Sequence, residues 1–570
     1  MTRPIGIDLG TTYTVVATLE KGKPVIIPNA EGQRLTPSVV AFTPDGATLV
    51  GQSAKAQSTT NPTRTIASFK RHMGSDYRVR IDKSEHGPTE MSSLVLRKVV
   101  ADTETHLSER IEQVVITVPA YFNDRQRQAT REAGALAGLD VLRVLSEPTA
   151  TALAYGLQRE DAHTVLVWDL GGGTFDVSIL DLGEGIFQVR AVSGDAWLGG
   201  DDWDRSLVSH LAREYERAWG MPCPEDPSTR QHLLQAAEWA KVQLSATPAV
   251  KVSVPLTTAP TGERRRLETE LTRQSFEHVT SDLLQRMVPP VQQALKDAGL
   301  KASDIDRVIL AGGATRMPAL RKLVRDTFGR EPYRYLNPDE VVAQGAAIEA
   351  GRLLGAVDRV VLLDVLPLSL GVETAGGLVA QIIPRNSPLP AKASRLFTTA
   401  ADGQTSMDIH VLQGERSMAL DNVSLGKFTL AGIPEALRGY PKVEVSFEAD
   451  VDGIVHVSAC DLATEEAVTV KVAATKLLDA QEIASLAEEA RRMAEHDRQE
   501  RERIQAGVEA ENALAASGLA LASPQLPAEE GRALRLAAEH LQAAIAGRDA
   551  TPIRERSGHL RQLLAAVRGT

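Results

Sequence analysis

Cysteines and long apolar runs are scarce in this 570-residue chain. Its two cysteines, Cys223 and Cys460, lie too far apart to suggest a metal knuckle, and such low usage favours a reducing compartment. No run approaches the roughly 18 apolar residues of a membrane span, and the N-terminus reaches Asp8 without an apolar core of signal-peptide length. We therefore expect a cytoplasmic protein that is neither secreted nor membrane-spanning.

The chain also lacks an excess of positive charge and a P-loop. A net charge of -11 with a pI near 5.7 argues against a nucleic-acid binder. No GxxxxGK[ST] stretch is present, so any phosphate must be held by another arrangement. The composition, 43% hydrophobic and 24% charged, is that of an ordinary globular protein, and the length allows about four domains.

The hydrophobic pattern changes twice along the chain. Over 1–357 strands and helices alternate; "QVVITVP" (113–119) predicts a buried strand, and "NDRQRQATREAGALAG" (123–138) predicts a helix capped by Asn123 or Asp124 and stopped by Gly138. An apolar linker without helical period follows at 358–366, and alternating segments over 367–475 are typical of antiparallel β-structure. From 476 to 570 Ala, Glu, Arg, Gln and Leu predict helices, split at "SPQLP" (523–527). The fold class is therefore multidomain.

Two stretches far apart in the chain share one pattern. An apolar strand ends on an aspartate, a small turn follows, and a second strand begins, in "IGIDLGTTYTVVA" (5–17) and again in "LVWDLGGGTFDVSIL" (166–180). The N–H groups and hydroxyls of such a turn can face a phosphate while the carboxylate orients a hydrated Mg²⁺. A single turn of this kind is more often an ordinary hairpin, but two facing turns would clamp a polyphosphate from both sides. A third element, "VILAGGATRMP" (308–318), ends a strand on Gly312 and Gly313 and would let the backbone approach a nucleoside.

This duplicated arrangement resembles the actin-like ATPase fold, and nearly the whole chain is similar to the DnaK-type, seventy-kilodalton heat-shock chaperones, in a bacterial-like form. The motifs that carry the resemblance are "IGIDLGTTY", "VITVPAYFNDRQRQAT", "SEPTATALAYG", "WDLGGGTFDVS", "NPDEVVAQGAAI" and "LLDVLPLSLGVET". The resemblance implies an α/β actin-like nucleotide-binding ATPase domain at 1–357, an apolar interdomain linker at 358–366, an antiparallel β-sandwich substrate-binding domain at 367–475 and an α-helical lid at 476–570. It also implies ATP and Mg²⁺ as cofactors, with K⁺ as a further candidate.

At the matching positions the resemblance implies a full set of ATP-site residues. Asp8 and Asp169 would order the Mg²⁺ shell, and Glu147 and Asp176 would sit around the attacking water. Lys70, in "SFKRHMG", would stabilise charge on the γ-phosphoryl group, although its spacing alone suggests an ordinary solvated lysine. The other nucleotide-binding positions are Gly10, Thr11, Thr12, Tyr13, Gly171, Gly172, Gly173, Thr174 (also catalytic), Gly199, Gly200, Glu238, Lys241, Ser245, Gly312, Gly313 and Arg316. Because Ala314 and Ala356 replace polar residues common in the family, we expect the adenosine contacts to differ somewhat.

The resemblance further implies a relay that reports the nucleotide state to the rest of the chain, formed by Pro119, Arg127, Leu362, Leu363 and Asp364. Without the resemblance, Pro119 would be a strand-end proline, Arg127 a helix arginine, and "VVLLD" (360–364) a plain edge strand. An exposed apolar segment between domains is a liability unless it docks, and docking in only one nucleotide state would make it a switch. We favour the switch.

In the β-domain, four residues match the family's hydrophobic peptide cleft: Val372, Phe397, Met407 and Ile409. Alternation alone would equally suit core residues of a sandwich. Ala375 and Ala400 match the arch over the peptide, and because both are small we expect a looser grip with faster release.

The resemblance also covers the lid. Arg438 in "LRGYP" and Asp497 on the first lid helix are expected to form a lid latch worth about 0 to 1 kcal/mol. The chain ends at "LLAAVRGT" without an acidic tail, so we expect no grip for co-chaperones that read such a tail. The segment 75–92 is shorter than in typical relatives, which puts contacts to an exchange factor in doubt, whereas the insertion at 250–271 is present.

The leading hypothesis is an ATP-driven chaperone for extended hydrophobic segments of unfolded polypeptides, timed by a J-domain co-chaperone and a nucleotide exchange factor. It would assist protein folding and the stress response. A small-molecule kinase of the same nucleotide fold would leave 365–570 without a purpose, and a binding module without turnover would be expected to lose Lys70 or Thr174. A specialised iron-sulphur cluster assembly chaperone is suggested by "DGQTSMDIHVLQGER" with Met407, but the insertion at 250–271 argues against it.

Overall fold

The computed structural model describes residues 3–44, 46–156, 161–258, 263–357, 360–465, 467–471, 526–547 and 549–568, together with 506, 509–510, 513–514, 516–518 and 520–521. Within these ranges no helix is both long enough and apolar enough to span a membrane.

The first lobe is a mixed sheet flanked by helices. Its strands are β1 (Ile5–Leu9), β2 (Tyr13–Glu20), β3 (Lys23–Ile27), β4 (Thr36–Pro37), β5 (Val40–Phe42), β6 (Thr48–Val50), β7 (Thr65–Ile66), β8 (Val79–Ile81), β9 (Ser84–His86), β10 (Gln113–Val118) and β11 (Asp140–Ser146). Its helices are α1 (Gln52–Ala56), α2 (Pro88–Leu107) and α3 (Asp124–Leu136), with short 3-10 turns at Pro62–Arg64 and Phe69–His72. The main sheet has the order β11-β10-β1-β2-β3, with β1 parallel to β10 and antiparallel to β2.

The strand predicted at 113–119 and the helix predicted at 123–138 are confirmed as β10 and α3. The Asn123 side chain accepts the Gln126 N–H, and the Gln126 side chain accepts the Asn123 N–H, which forms a capping box. Gly138 lies just beyond the helix with a φ of +85°, a conformation that glycine adopts without strain.

The second lobe repeats the plan of a sheet between helices. Its elements are α4 (Glu147–Gly156), β12 (His163–Leu170), β13 (Phe175–Gly183), β14 (Ile186–Asp195), α5 (Gly200–Trp219), α6 (Pro227–Ala246), β15 (Ala249–Thr258), β16 (Glu263–Thr272), α7 (Arg273–Val279), α8 (Ser281–Arg286), α9 (Val288–Ala298), β17 (Arg307–Ala311), α10 (Pro318–Phe328) and α11 (Val341–Leu353), with 3-10 turns at Ala302–Asp304 and Gly313–Arg316. The strand order is β17-β12-β13-β14-β18, where β18 (Val361–Leu363) comes from the linker.

Helices α4 and α11 pack between the two sheets at very short range. A Cβ on Gly345 of α11 would lie 1.8 Å from the Ala150 carbonyl oxygen of α4, and one on Gly6 of β1 would lie 2.1 Å from the Ala347 nitrogen of α11. The glycines therefore let the backbones meet, which brings the β1–β2 turn and the β12–β13 turn face to face.

Beyond the linker the chain forms two antiparallel sheets and then helices. The strands are β19 (Leu370–Thr374), β20 (Leu378–Ile383), β21 (Ala391–Phe397), β22 (Ser406–Gln413), β23 (Val423–Ala431), β24 (Val443–Ala449), β25 (Val455–Asp461) and β26 (Ala467–Lys471). The sheets, ordered β20-β19-β22-β23 and β21-β24-β25-β26, share a core that includes Leu425 and Phe447. Helices α12 (Ala528–Ala546) and α13 (Ala550–Arg568) pack through Leu534, Leu541 and Leu560. The predicted domain boundaries stay predictions.

Candidate functional site

A cavity of about 350 Å³ lies between the two lobes, at the β1–β2 and β12–β13 turns. The start of α4, one face of α6 and the turn after β17 complete its wall. The predicted residues on this wall are Asp8, Gly10, Thr11, Thr12, Tyr13, Lys70, Glu147, Asp169, Gly171, Gly172, Thr174, Gly200, Glu238, Lys241, Ser245, Gly312, Gly313 and Arg316. The structure thus brings the three glycine turns of the sequence to one cavity.

The two aspartate turns approach each other so closely that only glycine fits. A Cβ on Gly172 would lie 2.0 Å from the Thr12 hydroxyl oxygen, and one on Gly173 would lie 2.6 Å from that of Thr11. Gly199 packs behind the second turn, because its Cβ would lie 2.3 Å from the Gly172 carbonyl oxygen. Bare backbone and threonine hydroxyls therefore face the space where a phosphate chain would lie.

The third glycine turn closes the other end of the cavity. Gly312 has a φ of +80°, and a Cβ there would lie 2.2 Å from the Leu170 carbonyl oxygen. A Cβ on Gly313 would lie 2.7 Å from the Asp339 carboxylate, which also binds the Arg316 guanidinium at 2.5 Å. Glycine is therefore required at this turn by its protein neighbours, and its approach to a nucleoside stays a prediction.

Four carboxyl groups converge behind the aspartate turns: those of Asp8, Glu147, Asp169 and Asp176. Burial, reinforced by the Glu147 carboxylate, raises the pKa of Asp8 to about 7 and the pKa of Asp176 to about 7. Burial and the same carboxylate also raise the pKa of Asp169 well above its usual range. Ionisation of the whole cluster is therefore costly unless a cation lies close to it.

Lys70 supplies the positive charge of this cluster. Its side chain is 4% exposed, its Nζ donates to Glu147 Oε1 at 2.8 Å, and the ammonium lies 5.5 Å from the centroid of the Phe122 ring. The interpretation as a solvated lysine is therefore wrong, because a lysine with this burial is fixed by its partner. The structure places Lys70 on the wall of the cavity, and its role at a γ-phosphoryl group stays a prediction.

The acidic cluster fits a hydrated Mg²⁺. The Asp169 Oδ2 atom is buried and has no hydrogen-bond partner among the described residues. Among the same residues no group of three or more His, Cys, Asp or Glu side chains is arranged to ligate a metal directly. Carboxylates that orient water around Mg²⁺, with phosphate oxygens as further ligands, satisfy both observations. Asp8 and Asp169 would then hold the ion through water.

The end of the cavity that the resemblance assigns to adenosine is built on α6. Lys241 Nζ lies 2.6 Å from Asp204 and donates to the Gly200 carbonyl oxygen at 3.0 Å. Burial raises the pKa of Asp204 to about 6, although the lysine opposes this. Ala314 lies on the wall, whereas Ala356 lies in the exposed turn after α11 and its N–H donates to the Gly351 carbonyl oxygen. Of the two substitutions that the sequence singled out, the structure therefore places Ala314 at the site.

Sequence reasoning missed the contacts that cross the mouth and floor of the cleft. Lys55 of α1 donates to both carboxylate oxygens of Glu238 on α6, at 2.8 and 2.9 Å, and its Nζ lies 5.3 Å from the centroid of the Tyr13 ring. Arg71, next to Lys70, binds Asp202 of α5. The two ion pairs, Lys55–Glu238 and Arg71–Asp202, each join residues more than 100 positions apart, so no local pattern could have identified them.

The predicted relay residues lie where the α/β part meets the sandwich. Arg127 is buried, and its guanidinium donates to the carbonyl oxygens of Ala120, Phe122 and Asp452, the last at 3.3 Å. Pro119 directly follows β10, as a strand-end proline would, and leads into this loop. Arg127 is thus a helix arginine that also contacts the sandwich, which its helical position alone did not predict.

The linker docks on the second lobe. β18 pairs with β14 in parallel, with Leu362 opposite Phe187 and Leu363 opposite Gln188. The Asp364 carboxylate accepts hydrogen bonds from Ser146 at 2.8 Å and from Thr149 at 3.3 Å. The linker is therefore an edge strand here, held by hydrogen bonds to the sheet that carries Asp169.

A charge network continues from the linker side into the sandwich. Glu349 of α11 accepts from Arg143 at 2.6 Å and from Arg352, while Arg143 also lies 3.7 Å from the Asp452 carboxylate. Arg131 pairs with the same carboxylate. Burial raises the pKa of Asp452 despite these arginines, so the contact places a carboxylate where ionisation is costly. The two parts are joined by a network of buried charges.

A comparison with protein families identifies the chain. The family model described as Hsp70 protein matches residues 4–570. The chain belongs to the Hsp70 family. Hsp70 proteins are chaperones that bind ATP with Mg²⁺ and hydrolyse it, and they bind unfolded polypeptides and co-chaperones. Mixed α/β sheets, followed by antiparallel sheets and helices, agree with this assignment.

The predicted peptide-cleft residues of this Hsp70 divide into two groups. Val372 and Ile409 are each 3% exposed and belong to the sandwich core, whereas Phe397 and Met407 are partly buried against it. Core packing therefore explains Val372 and Ile409 in this arrangement, and their role at a cleft stays a prediction. The arch positions Ala375 and Ala400 are exposed in loops, and the Ala400 N–H donates to Gln404 Oε1 at 2.9 Å.

The structure describes one residue of the predicted lid latch, the whole of the segment 75–92 and the two strands of the insertion at 250–271. Arg438 is exposed, and its backbone N–H donates to Asp402 Oδ1 at 2.8 Å. Its expected latch partner, Asp497 on the first lid helix, lies outside the described residues. The segment 75–92 folds into the β8–β9 hairpin and the start of α2. The insertion at 250–271 is the β15–β16 hairpin of the second lobe.

Proposed function

We propose that this Hsp70 is a DnaK-type, ATP-dependent chaperone of the cytoplasm that binds extended hydrophobic segments of unfolded polypeptides and releases them in an ATP hydrolysis cycle. The observation that carries the proposal is β18. It extends the sheet that contains Asp169 and Asp176, and the chain runs from it directly into the sandwich. A shift of that sheet with the bound nucleotide would therefore reach the sandwich through backbone hydrogen bonds.

The cavity residues suit in-line hydrolysis by positioning and electrostatics. The two aspartate turns bind the phosphate chain, and Asp8 and Asp169 orient the hydrated Mg²⁺, whose charge offsets that of the phosphates when it is bound. The Lys70 ammonium stabilises negative charge on the γ-phosphoryl oxygens. Glu147 and Asp176 orient the attacking water, and the Asp176 carboxyl, with a pKa of about 7, can take up its proton.

The test is the dissociation rate of a fluorescent, leucine-containing unfolded peptide, measured with and without ATP at fixed Mg²⁺. We expect ATP to accelerate release, because a nucleotide-dependent shift of the second-lobe sheet would reach the sandwich through β18. If ATP weakens peptide binding, bound peptide must weaken ATP binding by the same factor. Peptide binding without acceleration by ATP would contradict the cycle. Absence of peptide binding would contradict the chaperone activity itself.

Linker variants locate the coupling. Leu362→Asp places a charge on β18 where the side chain is partly buried against the second lobe. We expect it to abolish the acceleration by ATP while peptide affinity without nucleotide stays near that of the wild type. Leu353→Asp, at the exposed end of α11, is the matched control and should release peptide as the wild type does. Equal behaviour of the two variants would exclude the linker as the route.

Peptide grip is a separate part of the proposal. Ala375 lies in the exposed turn between β19 and β20, so a larger side chain can be added without displacing core residues. We expect Ala375→Met to slow peptide dissociation if the small arch is the cause of a loose grip. An unchanged dissociation rate would exclude the arch as its determinant.

Timing of the cycle by a J-domain co-chaperone and a nucleotide exchange factor belongs to the same proposal. Stimulation of single-turnover hydrolysis by a J-domain protein, and of nucleotide release by an exchange factor, would test the two partners separately. The β15–β16 hairpin is the retained insertion that favours a general role over iron-sulphur cluster assembly. Replacing K⁺ with Na⁺ in the same assay tests the further candidate ion.

A further inference from the structure

A cluster of three aromatic side chains and one arginine crosses the cleft beside Lys70. Its members are Arg71, His72 and Tyr77 of the first lobe and Trp197 of the second, and we call it the cross-lobe stack. The His72 and Tyr77 rings are stacked, with centroids 4.1 Å apart and planes 11° from parallel. The Trp197 ring lies 5.8 Å from the His72 ring, and the Arg71 guanidinium lies 5.5 Å from the centroid of the Trp197 ring.

Arg71 ties the first lobe to two elements of the second. Its side chain is 2% exposed, its Nη2 donates to the Gly173 carbonyl oxygen at 3.0 Å, and the same atom binds Asp202 at 2.5 Å. Asp202 lies in the first turn of α5 and also accepts the Gly199 N–H at 2.8 Å. Arg71 therefore holds the second phosphate turn and the start of α5 from across the cleft.

Trp197 is in turn fixed to the body of the second lobe. Its backbone N–H donates to Asp195 Oδ1 at 2.9 Å, and Asp195 Oδ2 binds the Arg286 guanidinium at 2.7 Å. Arg286 also donates to the Trp197 carbonyl oxygen at 3.4 Å. The Trp197 backbone is therefore held by the second lobe, so a separation of the two lobes would separate the stack.

Lys70 shares its backbone turn with two members of the stack. Phe69–His72 is a single 3-10 turn, preceded by Ser68 in the left-handed region with a φ of +55°. The Ser68 hydroxyl donates to Asp201 at 2.7 Å, which makes a further contact with the second lobe. In so short a turn, displacement of Arg71 and His72 also displaces Lys70, whose Nζ lies 2.8 Å from Glu147 Oε1.

We propose that the cross-lobe stack positions Lys70 for phosphoryl transfer and makes hydrolysis depend on closure of the cleft. Arg71, His72, Tyr77 and Trp197 act through Lys70 and are positioning residues. Tyr77 belongs to the short segment 75–92, so this segment contributes to the geometry of the reaction. The inference rests on the proposed ATPase cycle and adds to it the means by which the first lobe holds its lysine.

The test compares Tyr77→Ala with Tyr77→Phe. Tyr77 is 37% exposed, so both variants are expected to fold, which thermal unfolding checks. Loss of the stacked ring should lower the single-turnover ATP hydrolysis rate about five-fold, while the ATP dissociation constant changes less than about two-fold. Tyr77→Phe retains the ring and should restore the rate. Trp197→Ala should act in the same direction as Tyr77→Ala, and Tyr335→Ala, at an 86% exposed tyrosine of the second lobe, is the control.

The outcomes separate the inference from the proposed function. Failure of the wild type to hydrolyse ATP in a single turnover would overturn the proposed function. Hydrolysis by the wild type, with unchanged rates in Tyr77→Ala and Trp197→Ala, would overturn the positioning role alone. A weakening of ATP binding in proportion to the rate would also overturn it, because the stack would then support binding rather than the position of Lys70.

Discussion

Lys55→Met is expected to accelerate nucleotide release by opening the mouth of the cleft. Lys55 and Glu238 are each 27% exposed and form an ion pair between α1 and α6, so the pair is worth about 0.5 to 1 kcal/mol. The ammonium also faces the Tyr13 ring, which adds roughly 0.5 kcal/mol at a partly exposed site. Together these terms predict release about five to ten times faster, if the contacts break before the nucleotide leaves.

The assay is stopped-flow release of a fluorescent ADP analogue at low and high ionic strength. Salt should accelerate release from the wild type, because it screens the pair, and should have little effect on Lys55→Met. Lys322→Met removes an exposed lysine that pairs with Asp326 on the same lobe, and it should leave the rate unchanged. Equal release rates for wild type and Lys55→Met at low salt would refute the reasoning.

Four further predictions concern protons and packing. Because the pKa values of Asp8 and Asp176 are about 7 in the folded chain against a usual 3.8, stability should fall as the pH rises from about 4 to about 7. Binding of Mg²⁺ and nucleotide at pH 7 should release protons, seen as a calorimetric heat that varies with the buffer; a buffer-independent heat would contradict this. Burial and nearby carboxylates raise the pKa of Cys223 to about 11, so its alkylation rate should still be rising at pH 10, and a plateau near pH 8 would contradict the assignment. Gly345→Ala should destabilise the fold by at least about 2 kcal/mol, because the added Cβ would meet backbone atoms. Gly558→Ala, in open space on α13, should instead stabilise the fold by about 0.5 to 1 kcal/mol. Equal melting temperatures for the two variants would exclude the close contact at Gly345.

The sequence predicted those elements whose causes are local. Helix α3 was predictable because its capping box lies within four consecutive residues, and β10 because an apolar run ends at a proline. The two aspartate turns were predictable as a pair because the pattern is written twice. The two turns belong to different sheets, and their meeting at one cavity depends on how those sheets pack. The family resemblance, rather than the pattern itself, predicted that packing.

The rest depended on partners distant in sequence. Lys70 has no local pattern that indicates burial, because its partner Glu147 stands 77 positions away. The contacts of Arg71 and Lys55 cross the cleft and have the same property. Alternation could not show that Val372 is a buried core residue and Met407 only partly buried, because the burial of a strand's face depends on how the opposite sheet packs against it.

The packing of α4 on α11 has a consequence for how the lobes move. Where the helices meet, Gly345 lies against the Ala150 backbone, and the surrounding buried residues of α11 include Ala346 and Ala347. At this crossing backbone and small groups meet, so a small shift of one helix along the other requires few rotamer changes there. We therefore expect the contacts that cross the cleft, such as Lys55–Glu238 and Arg71–Asp202, to contribute more to the energy of opening than this crossing does. Single changes at these contacts should alter the speed of the cycle more than changes at the crossing.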